Sequence, residues 1–367
     1  MTDEKPATET LLDPAELRSA LDGVHHAGVP GVFAEVRQGE QVWHGASGVA
    51  DLDTGNPVHP GMRQRVGSIT KTFVSAAVLL QVEKGHVRLD APIGDYLPRL
   101  VPGERGRKIT VRMLLNHTSG LAEYLPYAFP SLKELAPESL DDNRFRQFRP
   151  VELIALGVDA PSTGEPGSTP GVYSNTNYLL LGELLQHLSG TTAEEHIAGS
   201  VIEPAGLTQT GFPGEPQIEE PHSRMYEALF GRIDPPRDYS VYNMSWVMPG
   251  AGLISTVEDL NRFYGKLLGG EIVTPSSLEQ MRRTVPVIAQ DGRTLDYGLG
   301  LYKTETADGG TFWGHDGTVW GALTMSWTRD DGGRQFSAAM NLARWTKPGS
   351  EPHPIDDALA TFKRQAM

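Results

Sequence analysis

Apolar residues recur at helical spacing in some stretches of the chain and run or alternate as strands in others. Leu17, Leu21 and Val24 mark one face of a helix from Pro14 to about Ala27. Gly31–Val36 and Gln41–Val49 are apolar-rich runs around Gln38-Gly39-Glu40, which predicts a β-hairpin. The strongest helical pattern spans Val66 to Lys84. There Phe73, Ala77, Leu80 and Lys84 share a face, and Gly85 stands where a C-cap glycine belongs. Ile109-Thr110-Val111 leads into a helix with Leu114 and Leu115 that breaks at Ser119-Gly120. Further helices are expected over Asn177–Leu188, ended by Gly190, and over Val257–Leu268, N-capped by Thr256 with Asp259 at N3.

The C-terminal part changes character. Tyr297–Thr304, Thr311–Gly314, Val319–Thr328 and Gln335–Asn341 are apolar-rich segments separated by Asp308-Gly309-Gly310 and Asp330-Asp331-Gly332-Gly333, turn signals between antiparallel strands. A last helix, Pro354 to Gln365, is expected to pack back on them. The fold class is therefore mixed α+β: an antiparallel β-sheet from both chain ends, flanked by helices, plus a mostly helical insertion. Residues 1–13 read as a disordered lead, 14–75 and 290–367 as the sheet lobe, and 76–289 as the helical lobe. Pro126–Pro150, irregular and proline-rich, is a candidate lid or cleft wall.

Composition changes this picture only by exclusion. The 367 residues carry 46 Asp+Glu against 32 Lys+Arg, a formal net charge of −14, which argues against nucleic acid and anionic membrane surfaces as partners. With no cysteine, a thiolate nucleophile, a thiolate metal site and disulfides are ruled out. The eleven histidines show neither His-x-x-x-His nor His-Glu-x-x-His spacing, so neither metal nor cofactor is expected. No apolar stretch approaches a membrane span, and the polar start lacks an export-signal pattern, which suggests a cytoplasmic protein.

Ser68-Ile69-Thr70-Lys71 opens the strongest helix, where positions i and i+3 lie about 5–6 Å apart at Cβ. A serine hydroxyl needs a base within hydrogen-bond reach to act as a nucleophile, and a lysine serves if burial lowers its pKa. By itself the motif equally describes a capping serine and a solvated lysine. Two further motifs strengthen it. Tyr173-Ser174-Asn175 offers a phenol to relay a proton and an amide to hold a carbonyl. Trp313-Gly314-His315-Asp316-Gly317-Thr318 sets small residues around polar ones, so that a substrate backbone can approach a strand.

In this order the three motifs resemble the penicillin-recognising serine enzymes: DD-peptidases, class C β-lactamases and their esterase, amidase and transacylase relatives. Val66–Lys71, Asn116–Leu121, Tyr173–Tyr178, Gly252–Thr256 and Tyr297–Leu301 all look like landmarks of that family, over residues 20 to 345. The histidine of the third motif makes the chain look closest to the actinomycete D-alanyl-D-alanine carboxypeptidase/transpeptidase. The resemblance implies that Ser68 attacks the acyl carbon, Lys71 takes its proton, and Tyr173 passes it to the leaving group under the influence of His315. It implies that Asn175 holds the acyl-side amide and that the Ser68 and Thr318 N–H groups form an oxyanion hole, worth about 3–4 kcal/mol per donor. Trp246 is expected to line the pocket.

One departure bears on the substrate. Tyr302 and Asp316 stand where the carboxypeptidase holds a free carboxylate with an arginine and a threonine. A carboxylate about 4 Å from an unpaired Asp is repelled by about 1–4 kcal/mol. The expected partner is thus a small-molecule or peptide acyl substrate without that carboxylate, D-amino-acid units included, cleaved by an esterase, amidase, aminopeptidase or transacylase. D-Ala-D-Ala carboxypeptidase and β-lactamase activities are the alternatives. An idle penicillin-binding fold serving as sensor or scaffold is the non-enzyme reading, opposed by the presence of all five polar groups.

Overall fold

The computed structural model describes residues 12–307, 309–347 and 349–367. Residues 1–11 of the expected lead and Asp308 of the expected turn lie outside these. Asp13 does not belong to a lead: its carboxylate accepts from the N–H groups of Ala15 and Glu16 and caps the helix Pro14–His26, whose Leu17, Leu21 and Val24 are buried.

In chain order the strands are β1 (Gly31–Gln38), β2 (Gln41–Gly48), β3 (Gln64–Arg65), β4 (Gly171–Val172), β5 (Tyr226–Glu227), β6 (Arg237–Asp238) and β7 (Ile254–Ser255). They continue with β8 (Val285–Ile288), β9 (Thr294–Tyr297), β10 (Tyr302–Glu305), β11 (Thr311–Val319), β12 (Ala322–Arg329), β13 (Arg334–Met340) and β14 (Leu342–Ala343). Among the described residues the main sheet runs β2-β1-β13-β12-β11-β10-β9-β8-β4. Both chain ends feed it, as the sequence implies, and its pairings are antiparallel except for β4 on β8. Helices Pro14–His26 and Pro354–Ala366 cover one face, where Phe336 meets Phe362. On the other face the helix Val257–Leu268 bonds through Asn261 to Glu35 and Ser337. Strand residues alternate sides, so Phe336 and Ser337 face opposite layers.

Three elements of the stretch 76–289 therefore belong with the sheet rather than with a helical lobe: β4, β8 and the Val257–Leu268 helix. A two-residue strand carries no period-2 signal, which is why β4 is silent in the sequence. Three strand boundaries also differ, one of them in the expected strand Val319–Thr328, where Val319 ends β11 and β12 starts at Ala322. The expected strand Tyr297–Thr304 splits at Gly298-Leu299-Gly300, where Gly300 has φ 77°. The expected break at 315–318 is absent, because β11 runs unbroken through its glycines. A Cβ on Gly314 would stand 1.9 Å from the Ser326 carbonyl oxygen, so tight packing rather than a turn calls for glycine there.

The helix Thr70–Glu83 is buried along nearly its whole length among the helices of the insertion, including Thr176–Ser189. Pro126–Pro150 folds into short helical turns, Leu125–Ala128, Pro130–Glu134 and Glu138–Asp142. None of that segment lines the cleft at Ser68, so it is not the wall expected of it.

Candidate active site

Ser68 sits on a 3₁₀ turn, Gly67–Ile69, that runs into the helix Thr70–Glu83. Gly67 takes φ 56°, and a Cβ there would stand 2.6 Å from the Thr318 nitrogen. A Cβ on Gly317 would stand 2.0 Å from the Val66 oxygen and 2.5 Å from the Ser68 nitrogen. The two glycines thus let the Ser68 turn touch β11, and the Thr70 hydroxyl locks the turn by donating to Gly67 O at 2.6 Å. β11 pairs with β10 only over Thr311–Gly314, which leaves His315–Val319 open on that side.

Lys71, three residues on, is fully buried. Its Nζ donates to Ser68 Oγ at 3.0 Å, Asn175 Oδ1 at 2.7 Å and Gly250 O at 3.3 Å. Burial pulls its pKa down to about 7, against the opposing pull of the Glu123 carboxylate. Near neutrality an appreciable fraction is therefore uncharged and able to accept a proton.

Tyr173 is anchored by its N–H to Ile288 O of β8, at 2.9 Å. Its ring stacks on His117, centroids 4.1 Å apart, and lies 5.1 Å from Lys71 Nζ. Burial pushes the phenol well above its usual range, opposed by the nearby Ser68 hydroxyl, and no group among the described residues meets its oxygen in full hydrogen-bond geometry. Asn175 bridges two charges instead of presenting a free amide to substrate as expected: it accepts from Lys71, while its backbone N–H and Nδ2 donate to Glu123 Oε2 at 2.8 and 2.9 Å.

His315 reaches the site, but both ring nitrogens are engaged. Nδ1 bonds the carbonyl of Asp316, so it carries the proton, and Nε2 accepts from the Tyr297 hydroxyl at 3.0 Å. Burial lowers its pKa to about 4, leaving it neutral at pH 7. It braces Tyr297 rather than reaching Ser68.

Asp316 is not the unpaired anion the sequence suggests. Arg293, from the β8–β9 turn, stands 3.8 Å from its carboxylate, and the buried Tyr302 hydroxyl interacts with it. Lys363 of the C-terminal helix adds a second positive charge nearby. The repulsion inferred for a substrate carboxylate loses its premise, because the neutralising cations come from segments remote in sequence. Trp246 is also not where it is expected. It is 2% exposed, stacks on Trp320 with centroids 4.7 Å apart, and belongs to the core rather than to the residues lining the cleft.

Ser68, Tyr173, His315, Asp316, Gly317 and Thr318 share one cleft of about 630 Å³. Glu123, Gly250 and Arg293 escape the sequence motifs, while His117 lies inside the Asn116–Leu121 landmark without being singled out. Glu123 lies two residues beyond the Asn116–Leu121 landmark, and that proximity is its only sequence signal. Among the described residues no cluster of His, Asp and Glu is arranged to hold a metal ion, and no helix is long and apolar enough to cross a membrane.

Residues 17–360 match the Beta-lactamase family. Among solved structures, a D-stereospecific amidohydrolase from Streptomyces sp. superposes with a TM-score of 0.82 at 33% identity, covering 94% of this chain and 98% of that one. The D-amino acid amidase of Ochrobactrum anthropi SV3 shares the fold, with a TM-score of 0.81 at 22% identity over 96% and 97% of the two chains. Penicillin-binding protein 4* of Bacillus subtilis is 25% identical over 80% of this chain and 64% of its own length. Esterase EstB of Burkholderia gladioli is 31% identical over 56% and 54% of the two chains. The chain thus spans less than two thirds of the first curated relatives it matches. With its mixed sheet-and-helix fold and a match extending over nearly all of its length, the chain belongs to the Beta-lactamase family.

Proposed function

We propose that the protein is a serine hydrolase of amide or ester bonds that works through a Ser68 acyl-enzyme. The observation that carries this is the 3.0 Å contact between Ser68 Oγ and Lys71 Nζ, at a buried lysine with a pKa of about 7. Neutral Lys71 takes the hydroxyl proton as Ser68 Oγ bonds to the acyl carbon. The Ser68 and Thr318 N–H groups stabilise the resulting oxyanion, and collapse of the adduct breaks the bond to the leaving group. Tyr173, whose free hydroxyl faces Ser68, passes the proton from Lys71 to that group. Water then attacks the ester, with Lys71 and Tyr173 returning the proton to Ser68. Asn175 holds Lys71 in line, and neutral His315 keeps the Tyr297 side of the cleft rigid.

The substrate class we favour is a D-amino-acid amide, ester or short peptide. The likeness to a D-stereospecific amidohydrolase along almost the whole of both chains supports this reading. A turnover panel of D- and L-amino-acid amides, simple esters and D-Ala-D-Ala peptides tests it; preference for L-amides overturns the D-specific part. Intact-mass measurement after incubation with an activated ester tests the chemistry. One acyl group is expected on the unaltered protein and none on Ser68→Ala, and an adduct surviving in Ser68→Ala refutes the nucleophile.

A further inference from the structure

Strand order distinguishes the two sides of the cleft. Tyr173 hangs from β8 and His315 is bonded to Tyr297 of β9, so the leaving group, which receives its proton from Tyr173, departs toward the β8–β10 side. The acyl portion must then extend the other way from Ser68, across Thr318 toward Leu323 of β12 and the β5–β14 pair beyond it. There the cleft lining includes three half-buried apolar side chains, Phe230, Leu323 and Trp345, with the polar Arg344, Thr346 and Lys347 beside them.

Phe230 is held there at a conformational cost. Leu229 and Phe230 are consecutive non-glycine residues in the left-handed region, φ 44° and 60°, and Arg344 opposite them has φ 55°. L-residues avoid this region and occupy it only when the surroundings over-determine them. Here the buried Glu227 carboxylate does so. Oε1 accepts from Leu229 N–H at 2.7 Å, and Oε2 accepts from Gly321 N–H at 2.9 Å and Arg344 Nη1 at 2.5 Å. The Ala228 and Phe230 N–H groups bond the carbonyls of Ala343 and Arg344. A buried ion pair thus clamps a strained turn whose exposed product is one aromatic ring on the cleft wall.

We infer that Phe230, with Leu323 and Trp345, forms the subsite for an apolar side chain on the acyl part of the substrate, and that Phe230 is a specificity-determining residue. The inference rests on the acyl-enzyme reading above. Its test is the ratio of kcat/KM for p-nitrophenyl hexanoate over p-nitrophenyl acetate, measured on the full chain, Phe230→Ala and Phe230→Leu. The ratio is expected to fall about tenfold in Phe230→Ala, through KM for the longer ester, and to recover mostly in Phe230→Leu. A ratio unchanged in Phe230→Ala, with both esters affected alike, overturns the subsite and leaves the acyl-enzyme intact. No turnover of either ester by the unaltered protein brings down the acyl-enzyme reading, and the subsite with it.

Discussion

Glu123→Gln tests the electrostatics that tune Lys71. Asn175 separates the two groups, 2.7 Å from Nζ on one side and 2.9 Å from the carboxylate on the other. The charges therefore lie about 6–7 Å apart, worth about 2.5 kcal/mol at an effective dielectric of about 20, or just under two pKa units. Glu123 is half-buried by exposure and its burial also raises its own pKa, so screening and partial protonation reduce this to about one unit. The sign follows from charge: an anion favours the ammonium form, so removing it makes Lys71 easier to deprotonate. The limb of kcat/KM for an activated ester, expected near pH 7 in the unaltered protein from the lysine's pKa of about 7, should move to about pH 6. Activity at pH 6, relative to the plateau, then rises about fivefold, since the neutral fraction climbs from about a tenth to about a half. Measuring the limb's midpoint over pH 5–9 separates this from any fall in the plateau caused by a disturbed Asn175. A limb that stays in place, or moves toward alkaline pH, refutes the assignment of Lys71 as the base.

Tyr173→Phe should slow acylation about 10²–10⁴-fold while leaving Tm unchanged or slightly raised, because the lost hydroxyl has no hydrogen-bond partner among the described residues. A large drop in Tm instead makes Tyr173 a structural residue. Gly317→Ala would place a methyl 2.0 Å from the Val66 carbonyl oxygen and 2.5 Å from the Ser68 nitrogen, both backbone atoms that yield only if the nucleophile turn moves off β11. A displacement of about 1 Å costs about 100-fold in acylation rate, so single-turnover measurements retaining full activity would show that the oxyanion site lies elsewhere.

How much was legible in the sequence varies with the range of the interaction. The hairpin β1–β2 follows from Gly39 between two apolar runs and appears with Gln38 paired to Gln41. The helices after Thr256 and before Gly190 form with their expected caps, since capping is decided within four residues. β11 reads as ending at Gly314 in the sequence, because glycines mark turns but also serve where two backbones must touch. The stretch 76–289 reads as mostly helical, yet β4 and β8 within it carry Tyr173 into the cleft.

By itself the sequence determined the fold class, the family resemblance and the candidate groups of the site, because Ser68 and Lys71 are three residues apart and the other motifs are contiguous. Only the tertiary structure decided their electrostatic state. It buried Lys71 and bridged it to Glu123 through Asn175, and it tied both His315 nitrogens into hydrogen bonds. It also carried Arg293 and Lys363 to the side of Asp316 and withdrew Trp246 into the core. Charge and desolvation depend on every neighbour within several ångströms, and those neighbours come from segments up to hundreds of residues apart.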